Sequence, residues 1–255
     1  MSSESTAPPQ PKSGTEDWQN YGAHRGRVIY KEAVTPDVSL YIVEKPQGFD
    51  FRPGQAIELA IDEVGWRDAK RPFTLTSLPD NPRLQLIIKS YPDRNGVTKQ
   101  LQREIEVNDR VIFSDPWGAI EYQGPGVFIA GGAGITPFIA IFRELERSGR
   151  LKGNRLFFSN RTHRDVILQG ELFRLLGRDV VCTLTRETHP DYEHGRVDRD
   201  WLTSRINRFD QPFYLCGPPG MVRDLKNTLL DLGASPDALI YEQIADDDGD
   251  DSGDD

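Results

Sequence analysis

Residues 127–137 read VFIAGGAGITP, and this stretch decides the fold class. Four apolar residues are followed by a glycine-rich turn and by a proline, which suits the first turn of a helix. The next apolar positions recur at i, i+3, i+4 and i+7, the spacing of one helix face, at Phe138, Ile141, Phe142 and Leu145. The stretch therefore predicts a buried strand, a glycine turn and a helix that begins at Pro137 and ends near Gly149.

The chain beyond this helix alternates short apolar strands with amphipathic helices. Strands are predicted at residues 156–159, 180–184, 213–216 and 239–243, and helices at residues 165–176, 201–206 and 221–232. Alternating strands and helices form βαβ units, in which the strands are parallel and helices cover both faces of the sheet. Residues 124–245 are therefore expected to form an α/β domain around a parallel sheet.

Residues 23–123 follow a different pattern, of short strands separated by Pro, Gly, Asp and Asn. This spacing is typical of a small antiparallel barrel or sandwich. One interruption, at residues 97–105, is predicted to be helical. The predicted strands are residues 27–30, 40–43, 56–60, 73–76, 84–89, 111–113 and 120–122.

The negative charge of the chain is concentrated at its end. The 255 residues carry a net charge of −9, but residues 246–255 contain seven Asp and no basic residue, and the rest carries −2. This acidic tail is expected to be solvated and disordered, with a partner contact as the alternative, and residues 1–22 are expected to be a disordered leader. The nearly neutral body argues against a general nucleic-acid binder.

Several classes of protein are excluded by composition. Two cysteines, Cys182 and Cys216, are too few for a disulfide framework or a protein-held iron–sulfur cluster. The four histidines lack the spacing of a zinc site, so no metal site is predicted. Neither a signal peptide nor a membrane span is visible, and a cytoplasmic location is the resulting expectation.

Two glycine turns follow predicted strands of the α/β half. In GAGITP, residues 132–137, the glycines would let a diphosphate approach the backbone at a helix N-terminus, although a tight turn without a ligand is an alternative. In CGPPGM, residues 216–221, Cys216 lies at a strand end, where ligands of open α/β sheets bind, unless it is an ordinary core thiol. The two turns would flank one crevice.

Two further motifs belong to the barrel half. RPFT, residues 71–74, offers an anion clamp in Arg71, an aromatic plane in Phe73 and a hydroxyl in Thr74, but Phe73 suits a core position equally well. GVT, residues 96–98, opens the predicted helix, where it would hold a phosphate or, alternatively, cap the helix through Thr98.

The four motifs, in this order, resemble those of the ferredoxin–NADP reductase superfamily. RPFT resembles its flavin motif Arg-x-Tyr-Ser/Thr, GVT its flavin-phosphate motif, GGAGITP its pyridine-nucleotide motif and CGPPGM its nicotinamide motif. The resemblance covers roughly residues 25–244. It implies a six-stranded antiparallel β-barrel that binds FAD, followed by a parallel-sheet domain that binds NADPH or NADH, with the active site between them.

The resemblance also implies roles for single residues. Three are implied to be catalytic: Thr74 beside flavin N5, Cys216 beside nicotinamide C4, and Glu242 in proton and electron traffic. Flavin contacts are implied for Arg71, Pro72, Phe73, Thr74, Ile88, Lys89, Ser90, Gly96, Val97 and Thr98. Nucleotide contacts are implied for Gly132, Gly134, Thr136, Pro137, Cys216, Gly217, Pro218 and Met221.

The sequence departs from the family pattern in two places. Phe73 stands where the family usually has Tyr, so a hydroxyl hydrogen bond is lost while ring stacking is kept. The chain also continues past Gln243 to Ile244, Ala245 and the acidic tail. A terminal aromatic that covers the flavin, as in many plant-type members, is therefore not implied.

Thr185 and three arginines bear on the choice of nucleotide. Arg161, Arg186 and Arg196 follow successive predicted strands, and Thr185-Arg186 resembles the family's Ser-Arg contact to a 2′-phosphate. A guanidinium suits a phosphate dianion, so the arginines favour NADPH over NADH. Each arginine alone is also compatible with an ordinary surface charge, and NADH-using relatives carry similar arginines.

The chain is thus predicted to be a flavoprotein oxidoreductase that takes a hydride from NADPH onto flavin N5 and passes electrons to a one-electron carrier. A ferredoxin or a flavodoxin is expected as the carrier, without nucleic-acid or membrane partners. Such carriers are typically acidic, and basic residues near the predicted flavin edge would steer them: Arg67, Lys70, Arg71, Lys89, Arg94, Lys99 and Arg103. The alternatives are a reductase for free flavin or for an oxygenase, and a non-catalytic electron-transfer subunit.

Overall fold

The structure is a computed structural model that describes residues 21–91, 93–118 and 120–242. The predicted acidic tail, residues 243–245 before it and most of the predicted leader lie outside these ranges. The described strands form two six-stranded sheets, one antiparallel and one parallel, and the predicted fold class is confirmed. Within the described ranges no helix has the length and apolar character needed to cross a bilayer.

The first sheet is antiparallel throughout and closes into a barrel. Leu75, just beyond β4, bridges to Leu86 of β5 and so joins the two ends of the sheet. The strands pair in the order β4-β3-β6-β1-β2-β5. They are β1 (His24–Thr35), β2 (Val38–Glu44), β3 (Ala56–Ile61), β4 (Arg71–Thr74), β5 (Arg83–Lys89) and β6 (Arg110–Phe113).

Branched and aromatic side chains fill the barrel. Val28, Ile57, Leu84 and Phe113 are almost completely buried in one apolar cluster. Helix α1 (Val97–Arg103) lies between β5 and β6 and adds Val97 and Leu101 to this cluster. Burial of this apolar surface is the main favourable contribution to the folding of the barrel.

The predicted strand at residues 120–122 is wrong, because this segment pairs with none of the described strands. Ile120 packs into the core of the second sheet, and the Tyr122 ring stacks on Tyr214. The next peptide N–H, that of Gln123, donates to the Tyr214 hydroxyl at 2.8 Å. The apolar residues read as a strand therefore fasten the connection between the two sheets.

Several other elements differ in extent from their predictions, and for two of them the structure shows the cause. Strand β4 covers residues 71–74 because the chain then crosses to β5, where the Thr76 N–H donates to the Gln85 carbonyl oxygen at 2.9 Å. The helix predicted from residue 165 begins at Gln169. Residues 163–165 form a separate 3-10 turn, and the left-handed backbone of Leu168 (φ 47°) separates it from the helix.

The second sheet is parallel throughout, and its strands lie in the order β10-β9-β8-β7-β11-β12. All five residues of β7 are buried, as expected for a strand covered on both faces. The strands are β7 (Val127–Gly131), β8 (Arg155–Asn160), β9 (Val180–Leu184), β10 (Glu193–His194), β11 (Phe213–Cys216) and β12 (Leu239–Tyr241). The helices are α2 (Thr136–Arg147), α3 (Gln169–Leu176), α4 (Arg199–Thr203) and α5 (Pro219–Asp231).

The barrel and the parallel sheet share an apolar seam. Val38, Ile87 and Ile120 of the barrel half belong to the same buried cluster as Ile135 and Phe138, which open helix α2. Ile135 and Phe138 follow β7 closely along the chain, so the glycine turn between β7 and α2 lies beside the barrel.

Arg143 of α2 crosses this seam. Its Nη1 donates to the carbonyl oxygen of Thr76 at 2.7 Å and to the side-chain carbonyl of Gln85, both in the barrel half. Its Nε and Nη2 donate to the two carboxylate oxygens of Glu171 in α3. One guanidinium thus holds the barrel and two elements of the α/β half together.

We expect Arg143→Ala to lower the free energy of unfolding by about 2–4 kcal/mol, because it removes charge-assisted hydrogen bonds and leaves the Glu171 carboxylate unpaired. Urea unfolding followed by circular dichroism measures this change. Arg147→Ala is the matched control, since Arg147 also reaches the barrel, at Asp80, but its side chain is 48% exposed. Equal losses of unfolding free energy in the two variants would show that the Arg143 hydrogen bonds stabilise the protein no more than the exposed Arg147–Asp80 ion pair does.

Candidate active site

The order of the parallel sheet reverses between β7 and β11. From β7 the chain builds β8, β9 and β10 to one side, and then returns to build β11 and β12 on the other. Strands that lead away in opposite directions leave a crevice beyond their carboxyl ends, the usual ligand site of open α/β sheets. The two predicted glycine turns follow β7 and β11, so the fold brings them together at this crevice.

The first turn passes so close to the second that it excludes side chains. A β-carbon on Gly134 would lie 2.3 Å from the carbonyl oxygen of Cys216, and one on Gly131 would lie 2.5 Å from the sulfur of Met221. Gly132 has the left-handed backbone (φ 51°) that glycine adopts without strain. Thr136 closes the turn by donating its hydroxyl to the Ala133 carbonyl oxygen at 3.0 Å.

The second turn approaches the first in the same way. Gly217 has φ 159°, and a β-carbon there would lie 3.0 Å from the backbone nitrogen of Gly131. Pro218 is the N-cap of helix α5, which begins directly after this turn. The predicted residues Gly132, Gly134, Gly217, Pro218 and Met221 are therefore brought together, and bare backbone forms the floor between the turns.

A cavity of ≈ 650 Å³ lies elsewhere, beside Trp117, but the crevice opens into a larger cavity of ≈ 860 Å³. Its wall contains six cationic and four acidic side chains, an excess of positive charge that suits an anionic ligand. The cations are Lys89, Arg161, Arg186, Arg196, Arg199 and Arg223, and the acids are Asp37, Asp165, Asp198 and Asp224.

Asn160, at the end of β8, also lines this cavity. The residue is 5% exposed, and neither atom of its side-chain amide has a hydrogen-bond partner within the described part of the chain. Unpaired buried amides are rare in folded proteins. A phosphorylated, hydroxyl-rich ligand such as a pyridine nucleotide fits three features of this site: the side-chain-free backbone of the two turns, the cationic wall and the unpaired amide of Asn160.

The three predicted arginines line the cavity but differ in their surroundings. The Nη2 of Arg161 lies 2.8 Å from a carboxylate oxygen of Asp37 and 3.2 Å from one of Asp165. Arg186 follows Thr185, whose backbone and hydroxyl both donate to the Asn160 carbonyl oxygen. Arg161 is therefore already bound by two carboxylates. The contact with Asp37 spans 124 residues and was not visible in the sequence around Arg161.

The predicted flavin motif RPFT forms β4, at the edge of the barrel beside β3. Arg71 and Pro72 are exposed, and the Arg71 guanidinium donates to the Lys70 carbonyl oxygen at 2.7 Å. Phe73 is partly buried against the barrel core, and Thr74 is half-buried at the strand end. The core and stacking interpretations of Phe73 are thus compatible, because one face packs on the barrel while the ring remains partly accessible.

The neighbouring segments carry further unused polar groups. Ser90, directly after β5, is 1% exposed, and its hydroxyl has no partner within the described residues. Ile88 is buried, whereas Lys89 reaches the cavity. A buried hydroxyl without a partner beside a lysine fits the ribityl or phosphate part of a flavin nucleotide.

The start of helix α1 bears on the two interpretations of residues 96–98, as a phosphate site or as a helix cap through Thr98. Gly96 is the N-cap, and no side chain caps the helix. Capping by Thr98 is therefore wrong, because Thr98 lies within the first turn. Val97 is buried, and the uncapped N–H groups of this turn are the kind that bind phosphate oxygens.

Cys216 and Glu242 lie at the β11 end of the crevice. Burial, and to a smaller extent the nearby Glu242 carboxylate, raises the pKa of the Cys216 thiol to about 12. Burial also raises the pKa of the Glu242 carboxyl. Glu242 approaches the barrel half at Gly118, where a β-carbon would lie 3.4 Å from its Oε1. This end of the site thus favours neutral groups, in contrast to the cationic wall.

Two family models match the two halves of the chain. The oxidoreductase FAD-binding domain matches residues 25–122, and the oxidoreductase NAD-binding domain matches residues 128–227. The reductase component of propane 2-monooxygenase from Rhodococcus jostii is 29% identical over 239 residues, which cover 86% of this chain and 63% of that protein. The chain thus spans less than two thirds of the length of this relative.

Two further similarities agree with these matches. The ferredoxin–NAD(P)(+) reductase component of the naphthalene 1,2-dioxygenase system from Pseudomonas putida is 26% identical over 231 residues, which cover 86% of this chain and 68% of that protein. A ferredoxin NADP+ reductase from Neisseria gonorrhoeae, solved with FAD and NADP, has a TM-score of 0.76 at 20% identity and covers 86% of this chain and 97% of its own. The structural likeness supports the fold.

We expect Gly134→Ala to reduce stability by about 2–4 kcal/mol, because the new methyl group would overlap the Cys216 carbonyl and force the two turns apart. Gly170→Ala in α3 is the control, since a β-carbon there meets open space and helix propensity favours alanine. Thermal unfolding of both variants measures the difference. A Gly134→Ala protein that melts with the parent would contradict the close approach of the turns.

We expect the native protein to react slowly with iodoacetamide at pH 8. Only the thiolate reacts, and a thiol with a pKa of about 12 is ionised to about one part in ten thousand at this pH. Cys182 is buried and its pKa is likewise raised to about 12. Mass spectrometry should find little labelling in the native state and two labels in urea, whereas rapid native labelling of Cys216 would show that it is a thiolate.

Proposed function

The chain belongs to the ferredoxin–NADP reductase superfamily of FAD- and NAD(P)-binding oxidoreductases, and on that premise we propose that it takes electrons from NADPH and passes them to a separate one-electron carrier protein. A ferredoxin or flavodoxin that serves an oxygenase is the acceptor we favour. The observation that carries the proposal is the crevice between β7 and β11, whose two glycine turns, cationic wall and neutral Cys216 end suit a bound nicotinamide nucleotide.

The identity of the acceptor rests on composition and on relatives. The two similar proteins named above are the reductase components of a propane monooxygenase and a naphthalene dioxygenase system. The two cysteines of the chain lie in β9 and β11 and are too few to ligate an iron–sulfur cluster. Electrons that leave the flavin would therefore pass to a cluster or flavin outside these residues.

FAD, when bound, accepts two electrons from a nicotinamide in one step and releases them one at a time. The protein would hold it with Arg71 on the diphosphate, Phe73 against the ring, Thr74 at the ring edge and the first turn of α1 on phosphate. The buried Ser90 hydroxyl, which has no hydrogen-bond partner among the described residues, would add a further hydrogen-bonding group. These groups position the ring and do not themselves change oxidation state.

Cys216 and Glu242 would act at the nicotinamide end of the crevice. A thiol that stays neutral up to about pH 12 leaves this end without a fixed negative charge that would repel electron-rich groups. Burial raises the pKa of the Glu242 carboxyl, so this group takes up a proton at a higher pH than an exposed glutamate does, which suits a role in proton transfer. Both pKa shifts favour the neutral forms of these two groups.

The preference for NADPH rests on three arginines, Arg161, Arg186 and Arg196. All three line the cavity, and a guanidinium suits a 2′-phosphate. The charge of Arg161 is partly neutralised by Asp37 and Asp165. We propose that the three arginines together form the site of the 2′-phosphate.

Anaerobic stopped-flow reduction tests the proposed function. The purified protein, reconstituted with FAD, should lose flavin absorbance rapidly on mixing with NADPH and more slowly with NADH. The reduced protein should then reduce a plant-type ferredoxin or a flavodoxin, read out with cytochrome c, faster than it reduces free FMN.

The protein stripped of FAD is the control and should transfer no electrons. Faster reduction of free FMN than of either carrier would instead identify a free-flavin reductase. Flavin that is bound but reduced by neither nucleotide would overturn the proposal and indicate a non-catalytic subunit.

A further inference from the structure

Asp37 is a residue of the barrel half that faces the cavity of the α/β half. It lies in the turn between β1 and β2, and its carbonyl oxygen accepts the Ser90 N–H at 2.7 Å, which ties the turn to the segment after β5. The Thr35 hydroxyl donates to the Asp37 carboxylate at 3.1 Å. The side chain is 17% exposed and is therefore held in place at the cavity wall.

Two cations of the cavity approach this carboxylate from opposite halves of the molecule. Arg161, after β8, lies 2.8 Å from the Asp37 oxygen Oδ2, and Lys89, at the end of β5, lies 3.9 Å from the same atom. Asp165 contacts the same Nη2 of Arg161, at 3.2 Å, and is itself fixed by the backbone N–H and hydroxyl of Thr162. One guanidinium nitrogen is thus shared by two carboxylates, one from each half of the molecule.

The two carboxylates have different functions in the fold. Asp165 closes the capping box of the 3-10 turn at residues 163–165, so it is required locally. Asp37 caps no helix, and its contacts to Arg161 and Lys89 are directed into the cavity. A carboxylate in that position repels a phosphate group and occupies a guanidinium that would otherwise bind it.

We propose that Asp37 modulates nucleotide specificity. It competes with the 2′-phosphate of NADPH for Arg161 and so weakens the preference for NADPH over NADH. The proposal rests on the proposed function in one respect, that a nicotinamide nucleotide occupies this cavity. A hydroxyl at the 2′ position of NADH carries no charge, so Asp37 penalises its binding little.

A simpler role for Asp37 would be to hold the two halves of the molecule together. The ion pair of Arg147 with Asp80 offers a direct comparison, because it also joins α/β half and barrel but does not line the cavity. Removal of either acid would weaken the junction. Only removal of Asp37 would change the charge that faces the nucleotide.

Binding of NADP+ and NAD+ to the FAD-loaded protein, measured by isothermal titration calorimetry, tests this proposal. Asp37→Asn should lower the Kd for NADP+ about fivefold to tenfold, the effect of removing one partly buried charge close to the phosphate, and change the Kd for NAD+ less than about twofold. Asp80→Asn should leave both constants unchanged. In an Arg161→Gln background, Asp37→Asn should lower the Kd for NADP+ by a smaller factor than in the parent, since the contested guanidinium is absent and only the direct repulsion of the phosphate is removed.

An equal change in both constants, or equal effects of Asp37→Asn and Asp80→Asn, would overturn the proposal and identify Asp37 as part of the junction alone. An unchanged Kd for NADP+ in Asp37→Asn would also overturn it. The result is independent of electron transfer: failure of the parent flavin to be reduced by either nucleotide contradicts the proposed function, whereas the ratio of the two binding constants decides the role of Asp37.

Discussion

Two backbone segments approach each other at the reversal point of the parallel sheet, and there is no room between them for a side chain. A methyl group on Gly134 would overlap the Cys216 carbonyl, and one on Gly217 would crowd the backbone of Gly131. This contact fixes where helices α2 and α5 begin, because each helix starts directly after its turn. It also leaves exposed peptide groups at the crevice, which a large ligand can approach closely.

The barrel is aligned to this contact from two directions. On one side, the first residues of α2 pack on Val38 and Ile87, and Arg143 one turn further binds the carbonyl oxygen of Thr76. On the other side, the carboxylate of Glu242, beyond β12, reaches the barrel half at Gly118. Since both contacts start from strands or helices next to the glycine turns, a shift in the turns would move the barrel edge relative to Cys216.

The sequence predicted those parts of the molecule that depend on neighbours along the chain. Apolar periodicity identified both sheets, and the turn GAGITP was recognisable because its glycines, its hydroxyl and its proline are adjacent. The error at residues 120–122 has a physical cause, since apolar side chains that fasten a connection have the same spacing as those of a short strand. The contact of Arg161 with Asp37 spans 124 residues and left no local pattern. The same holds for Asn160, whose unused amide becomes apparent only when its surroundings are known.

The distribution of charge at the crevice would orient a nicotinamide nucleotide without any specific contact to its ring. Six cations and four carboxylates line the cavity wall, whereas at the β11 end of the crevice the raised pKa values of the Cys216 thiol and the Glu242 carboxyl favour the neutral forms. Phosphate groups lose less solvation energy at the charged end, whereas a reduced nicotinamide ring is apolar and loses less at the neutral one. The carboxylates that bind the arginines reduce their attraction for phosphate but also hold the guanidinium groups in place, so less side-chain entropy is lost on binding. Under the proposed function, orientation would follow from the contrast between the cavity wall and the β11 end of the crevice, and selectivity between nucleotides from the balance of charges at the wall.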